Sequence, residues 1–481
     1  MLRRFALLLL LALLGLAGVA FVRALTLEPA TASPPPAPEL RLDARRVCER
    51  LAGALRIPSV SSPEPDAVEL GRREQMVDYV LETFAPLHQH LGFERHPAAL
   101  VLRWEGSEPG LDPLLLLAHL DVVPADPEGW IHPPFAGEIA GGFVWGRGAL
   151  DDKASAFAIL EALEHLLGRG ERPRRGGILA LGLDEEVGGA EGAAQVAATL
   201  AAEGVRPFLV LDEGFAVLEG ILELVPHPVA GVGVAEKGAL RLELTVEAEG
   251  GHASMPERET ALGILSGALA RLEAEPMPAR LDGAPALFFE ELAREMEFGP
   301  KLLFVNRWLS EPLLRRQLEQ RASTAALLRT TTAVTTASAG LAENVVPRRA
   351  RATVDFRVHP RDELEEVLDH ARAVIDDPRV NLEVLEPSWE ASAISPTEGA
   401  AWEHLAATIR ECYPGVQVAP ALVLGATDAR HYARLSPNVY RFNGLRLGLD
   451  DLARVHGVDE RIAIRNYLEM IRFYARLIAR A

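Results

Sequence analysis

Cysteine is nearly absent. Cys48 and Cys412 are the only two in 481 residues, and they lie far apart in the chain. They make neither a disulfide framework nor a cysteine-based zinc site. A basic surplus is also missing: 49 Lys and Arg face 68 Asp and Glu, a net charge of -19 with a pI near 5.2. Nucleic-acid binders carry a basic footprint, so no nucleic-acid partner is expected. No stretch reads G-x-S-x-G or G-x-x-x-x-G-K-[ST], which sets aside a serine-hydrolase elbow and a P-loop. Gly231-Val232-Gly233 has no lysine at the required spacing. There is no internal repeat, and the only low-complexity stretch is proline-rich. A composition 49% hydrophobic and 24% charged excludes a disordered chain. The length allows two or three domains with a substantial core.

One long apolar run is present. Met1-Leu2-Arg3-Arg4 precedes residues 5–22, which carry no charge, and Arg23 follows. The run is longer than a usual signal-peptide core and sufficient to span a bilayer as a helix. The arginine pair favours a cytoplasmic N-terminus and sends the rest of the chain across. Residues 1–26 are expected to be a signal anchor, giving a single-pass protein of the cell membrane with its catalytic part on the non-cytoplasmic side. Cleavage at Val22-Arg23-Ala24 or Ala30-Thr31-Ala32 is the alternative and would export the chain. Residues 27–40, with Pro34-Pro35-Pro36, read as a tether.

After the tether the pattern is α/β. Val47, Leu51 and Leu55 recur at helical spacing, as do Met76, Val80 and Phe84. Residues 114–117 are all leucine, a buried strand that runs into Ala118-His119-Leu120-Asp121. Side chains two apart on a strand share a face, so His119 and Asp121 point the same way. A helix begins after Lys153 (Phe157, Leu160, Leu163, Leu167), and strands are expected at 178–183 and 208–211. The first runs into Asp184-Glu185-Glu186-Val187-Gly188-Gly189 and the second into Asp212-Glu213-Gly214. Strands alternating with helices give a mostly parallel sheet with helices on both faces, and such sheets bind ligands beyond their carboxyl ends. From Glu236 to Ser392 the order becomes β-α-β-β-α-β, the ferredoxin-like arrangement, with a helical insertion at 285–317. The expected organisation is therefore a catalytic domain in two parts, 41–235 and 393–481, interrupted by an α+β lid at 236–392.

The stretch Trp145-Gly146-Arg147-Gly148-Ala149-Leu150-Asp151-Asp152-Lys153 stands apart from this pattern. Its glycines suit a tight turn that presents Asp151 or Asp152 at a helix entrance, where a helix cap or a hard cation would account for the acids. Together the strand ends supply His119, Asp121, Asp151, Glu185, Glu186 and Asp212. Acids so dense repel one another unless a cation neutralises them, and His with carboxylates but no Cys suits zinc, manganese or cobalt.

These motifs, taken in order, resemble the dinuclear zinc amidohydrolases that include aminoacylase, succinyl-diaminopimelate desuccinylase and carboxypeptidase S. The DDK and LDEG forms and Ala426-Thr427-Asp428-Ala429-Arg430-His431-Tyr432 bring the chain nearest to the branch of carboxypeptidase S and the N-fatty-acyl-amino-acid hydrolase/synthase. The resemblance implies two Zn2+ ions, with Mn2+ or Co2+ as substitutes. His119 would ligate one metal, with Asp121 orienting its ring. Asp151 would bridge both ions, Asp212 would complete the first site, and Glu186 would ligate the second. His456, in Arg454-Val455-His456-Gly457-Val458-Asp459-Glu460, resembles the closing ligand, and His431 is its rival. Glu185 would be the general base. His252 would steady the oxyanion, and Asn344 and Arg357 would grip a substrate carboxylate. Gly425 and Thr427 fall in the segment that resembles the substrate-binding loop. The implied reaction is hydrolysis of an amide next to a free carboxylate, in a peptide or an N-acyl amino acid, in either direction. Membrane contact through the N-terminal segment and a homodimer through the lid are the implied partners. A narrower aminoacylase or dipeptidase is the alternative, and a silent binding protein would have lost the base or a ligand.

Overall fold

The computed structural model describes residues 2–31 and 34–481. Ala32, part of one expected cleavage site, and Met1 lie outside the described residues. The leucine run forms the strand Leu114–His119, buried at every position. Leu114 and Leu116 face one core while Leu115 and Leu117 face another, so both sides are covered by helices. Helices Ala44–Leu55, Lys153–Leu167 and Ile464–Arg480 pack on the first side, and Ala193–Ala202 packs on the second.

Leu114–His119 sits mid-sheet. Gly177–Gly182 and Leu209–Asp212 pair with it on either side, both parallel, and Val439–Arg441 runs parallel to Leu209–Asp212. Antiparallel strands extend this parallel centre into a sheet of ten. On one side these are Ala99–Trp104 and Leu91–His96; on the other is Val229–Glu236, along which Gln417–Val423 lies parallel. The expected α/β sheet is present. Three of its strands, Leu91–His96, Ala99–Trp104 and Val229–Glu236, had no clear periodic signature.

A second, four-stranded antiparallel sheet is built from Gly238–Glu247, Thr331–Ala339, Arg349–Val358 and Val380–Trp389. In sheet order the second of these strands comes first, followed by the third, first and fourth. With helices Ala261–Ala274 and Leu364–Ile375 on a shared core, this is the ferredoxin-like arrangement. The helices expected as a lid insertion behave differently. Gly283–Leu292, Phe298–Val305 and Arg307–Leu318 share a core with Val229, Ala419 and Ala421 of the large sheet, not with the four-stranded one. Their buried side chains pack on the large-sheet body, while Phe298, Trp308, Leu309 and Leu313 stay exposed.

A small antiparallel sheet decides how the chain ends meet. Glu138–Ala140 pairs with Phe143–Trp145, and Arg461–Ala463 pairs with the other edge of Phe143–Trp145, aligning Arg461 with Trp145. The glycine turn that follows Trp145 and the loop that precedes Arg461 are thereby fixed side by side.

Two residues of the proline-rich stretch contact the body. Ala30 N donates to Glu295 Oε1 at 2.8 Å, and Ala37, buried, donates its N–H to the Glu411 carbonyl at 2.8 Å.

Candidate active site

The carboxyl ends of the parallel strands carry the chemistry. His119 ends its strand fully buried, and its Nε2 lies 2.9 Å from Asp151 Oδ1. Its Nδ1 is nearer the main-chain oxygen of Asp121, at 3.0 Å, than the Asp121 carboxylate, at 3.5 Å. The Asp121 carboxylate has other duties. It accepts the N–H groups of Glu185 (3.2 Å) and Glu186 (3.1 Å) and the Ser61 hydroxyl (2.6 Å). Asp121 therefore orients the glutamate pair at least as directly as it orients the ring.

Asp151 is delivered by the glycine turn. Gly148 has φ +92°, and a Cβ there would stand 2.9 Å from Val122 Cγ1, so both backbone angle and space call for glycine. Asp152 turns inward and is fully buried, and burial pushes its carboxyl well above the usual range. Lys153 points away from the site, donating to the Ala54 and Ile57 carbonyls at 3.1 and 2.8 Å.

Two groups of ligand atoms form around Asp151. His119, Asp151 and Glu213 converge in one; Asp151, Glu186 and His456 converge in the other. His456 Nε2 lies 3.0 Å from Asp151 Oδ2 and 3.4 Å from Glu186 Oε2. His431, its rival, spends its Nε2 on the Gly188 carbonyl at 3.0 Å, and burial pushes its pKa down to about 4.

Asp212 is not brought to the site. Its carboxylate accepts the N–H groups of Glu213 at 2.9 Å and Ala429 at 2.7 Å, which hold it inside the strand end. The next residue, Glu213, has left the strand and carries the carboxylate that reaches His119 and Asp151. Adjacent residues leave a strand end in opposite directions, so the geometry groups Glu213, not the expected Asp212, with His119 and Asp151.

The electrostatics fit a cation-binding centre. Burial alone would lower His119, but hydrogen bonding to Asp121 and Asp151 holds it well above the ordinary histidine value. The His456 ring is pushed up to about 10 by Asp151 and Glu186. Burial lifts the Glu213 carboxyl well above its usual range, and the charges of Asp151 and Asp152 add to that. Glu186 Oε1 is buried without a hydrogen-bond partner. Two imidazoles and three carboxylates that share one central Asp, strained by mutual repulsion, are a donor set for two divalent ions. Glu213→Gln should cost about one metal ion per chain in elemental analysis, while Asp212→Asn should keep both. The opposite pattern would return the ligand role to Asp212.

Two residues not singled out from sequence hold this centre. Glu460 is fully buried, and its Oε1 accepts the N–H groups of Gly148 (3.0 Å), Leu150 (2.7 Å) and Asp151 (3.3 Å). It also pairs with Arg147, whose guanidinium donates to the His456 and Gly457 carbonyls at 3.0 and 3.1 Å. The Arg147–Glu460 pair thus ties the loop of Asp151 to the loop of His456, which has a left-handed φ of +59°. Arg147 and Glu460 belong to the stretches 145–153 and 454–460, and only the pairing of Arg461 with Trp145 makes them meet.

Glu185 belongs to neither ligand group. Burial pushes its carboxyl well above the usual range; His119 opposes this, and Asp428, Glu186 and Asp151 reinforce it. Thr427 is buried, with its N–H and hydroxyl both directed at Glu236 Oε2 (2.9 and 3.1 Å), while Gly425 is exposed. His252 and Asn344 are exposed and adjacent: Ala253 N donates to the Asn344 carbonyl at 3.1 Å. Arg357 donates to Asp355 at 3.0 Å on the four-stranded sheet. Among the described residues, no hydrogen bond or ion pair joins these three to the Asp151 cluster.

The model of the peptidase family M20/M25/M40 matches residues 115–480. The chain belongs to this family. As an M20-family member it is an enzyme, a metal-dependent hydrolase. Among its relatives, the N-fatty-acyl-amino acid synthase/hydrolase PM20D1 of Xenopus tropicalis is 42% identical over 443 residues, covering 90% of this chain and 85% of that protein. Carboxypeptidase S of Saccharomyces cerevisiae is 31% identical over 479 residues, covering 88% of this chain and 82% of its own. The M20 family metallo-carboxypeptidase Sso-CP2 of Sulfolobus solfataricus shares the fold. Its crystal structure has a TM-score of 0.67 at 21% identity, covering 90% of this chain and 98% of that one.

Proposed function

We propose that this M20 enzyme hydrolyses an amide bond beside a free carboxylate, in a peptide C-terminus or an N-acyl amino acid, with two zinc ions as its cofactor and manganese or cobalt as substitutes. The observation that carries the reading is the sharing of Asp151 by two ligand groups, with Glu185 beside both and part of neither. His119, Asp151 and Glu213 would hold one ion; Asp151, Glu186 and His456 would hold the other. Two divalent ions there would supply Lewis acidity to a scissile carbonyl and make a water more acidic.

The rest falls to the chain's own residues. Glu185, aimed by the Asp121 grip on its N–H, takes a proton from the attacking water and returns it to the leaving amine. Asp121 fixes the direction of both glutamates, and the Arg147–Glu460 pair fixes the two loops. Arg357 and Asn344 would take the substrate carboxylate, Arg through its planar fork, and His252 would steady negative charge on the carbonyl oxygen. These three sit on the four-stranded sheet or in its loops, so their roles require the lid to approach the site, from this chain or from a second copy. Gly425 and Thr427 would shape the floor of the site. The N-terminal helix would anchor the enzyme with its catalytic part on the non-cytoplasmic side; Arg4–Thr26 has the length and mean hydropathy, 2.8, for a span.

The substrate class follows the activities named for the relatives, and it is open to a direct test. Purified full chain should cleave N-acyl amino acids or peptides with a free C-terminal carboxylate. It should leave carboxyl-blocked analogues at least about tenfold slower, the scale of losing one charge-assisted carboxylate contact. A chelator should abolish turnover, and added zinc should restore it. Equal rates on free and blocked substrates would overturn the carboxylate requirement, and full activity in chelator would overturn the metal mechanism.

A further inference from the structure

We propose that the outer face of the helices Phe298–Val305 and Arg307–Leu318 is seated in the interfacial layer of the phospholipid bilayer that the N-terminal helix spans. The inference rests on the reading of that helix as a retained anchor, and it adds a second contact between enzyme and membrane.

The N-terminal helix projects from the body. Residues 4–19 are exposed, and only Ala20 and Ala24, near its end, are buried. These last turns are gripped by the two helices named above. Asn306 Nδ2 donates to the Ala20 carbonyl at 2.9 Å, the Phe21 and Phe298 rings meet edge to face at 5.0 Å, and Arg23 donates to the Val305 carbonyl at 3.5 Å. Ala20 lies three residues inside the apolar run from Arg23, about 4.5 Å along a helix axis. Asn306 and Phe298 therefore stand at the level where the apolar run gives way to polar chain, which is the headgroup boundary of a spanned bilayer.

At that level the surface is apolar. Phe298, Trp308, Leu309 and Leu313 are 41%, 52%, 55% and 56% exposed. Leu309 and Leu313 are four apart and share a helix face, with Pro312 exposed beside them, while Ser310 and Leu314 point into the body. A helix of a water-surrounded surface would put polar residues on that outer face. A contiguous exposed apolar patch marks an interaction site, and tryptophan is enriched at the membrane boundary. Trp308 shares a cleft of about 490 Å³ with Arg23 and Leu27, whose other walls include Glu290, Arg294 and Arg307, so Trp308 lies beside the emerging span. Arg315 and Arg316, exposed at the end of the same helix, add positive charge beside this face on a chain whose net charge is -19.

The test uses the full chain in phosphatidylcholine vesicles, with plain or acyl-brominated lipid, because bromine quenches tryptophan within contact range. The wild type should float with the vesicles and emit less in brominated than in plain lipid. Trp308→Phe should float equally, retain hydrolytic activity and lose that difference. Leu313→Trp placed in the Trp308→Phe background should regain it. Flotation with equal wild-type emission in both lipids overturns the seat and leaves the anchor intact. Flotation with unquenched emission and a dimer in detergent solution also overturns it, in favour of a subunit interface. Failure to float overturns anchor and seat together.

Discussion

Glu185→Gln is expected to keep its full metal complement and to lose turnover by about 10²–10⁴-fold, the usual contribution of a positioned general base. The two effects separate because of where Glu185 stands. Its carboxylate is in neither ligand group, so an amide in its place removes no donor from the ions. Its N–H is held by Asp121 Oδ1 at 3.2 Å whatever the side chain, so the loop should keep its course. An amide of the same shape cannot accept the proton. Elemental analysis and steady-state kinetics on the same preparation decide the matter. Activity within about tenfold of wild type would remove Glu185 from the role of base. Metal loss would instead place it among the ligands.

Glu460→Ala is expected to destabilise the fold by about 3–5 kcal/mol, the cost of leaving one partner of a buried ion pair alone. Glu460 is fully buried, and Arg147 is nearly so. Removing the carboxylate strips Arg147 of its counter-charge and leaves the N–H groups of Gly148, Leu150 and Asp151 without their acceptor. Burial pushes Glu460 up to about 7 against the pull of Arg147, so denaturant unfolding is best followed at pH 8, where the carboxylate is ionised. Metal binding should weaken as well, since the Asp151 and His456 loops would lose their common tie. Arg147→Met combined with Glu460→Ala should recover part of the loss by removing the stranded charge. A single-variant loss below about 1 kcal/mol, the level of an exposed pair, would show that the network does not hold the loops.

Much of the architecture around the Asp151 cluster is legible in local sequence pattern. The leucine run at 114–117 reads as a buried strand and the spacing of Phe157, Leu160 and Leu163 as a helix face, and both form. Strands that run into His119-x-Asp121 and Asp184-Glu185-Glu186 put acids and imidazole at one sheet edge, because topology places the carboxyl ends of parallel strands together. The ferredoxin-like order of the second sheet was equally plain in its alternating strands. Val229–Glu236 was not, since its buried glycines and small residues carry no period.

Local pattern failed where one residue step or a distant partner decides. Asp212 and Glu213 are both acids at one strand end. Which of them faces the cluster depends on where the strand stops, and hydrogen bonds from Glu213 N and Ala429 N to Asp212 settle it. His456 against His431 was a choice between two motifs; the alignment of Arg461 with Trp145 carries His456 to Asp151, while Gly188 occupies His431. The helices around Phe298 and Trp308 looked like part of the lid, yet their burial partners are Val229, Ala419 and Ala421. Which side chains stand at strand ends, the apolar run and the order of elements are all local properties, legible from periodicity and strand-end position. Tertiary contacts alone put Glu213 rather than Asp212 beside His119 and Asp151, bring His456 to Glu186, and set Asn306 and Phe298 against the N-terminal helix. Those depend on register and on contacts between residues more than a hundred positions apart, and no local pattern encodes them.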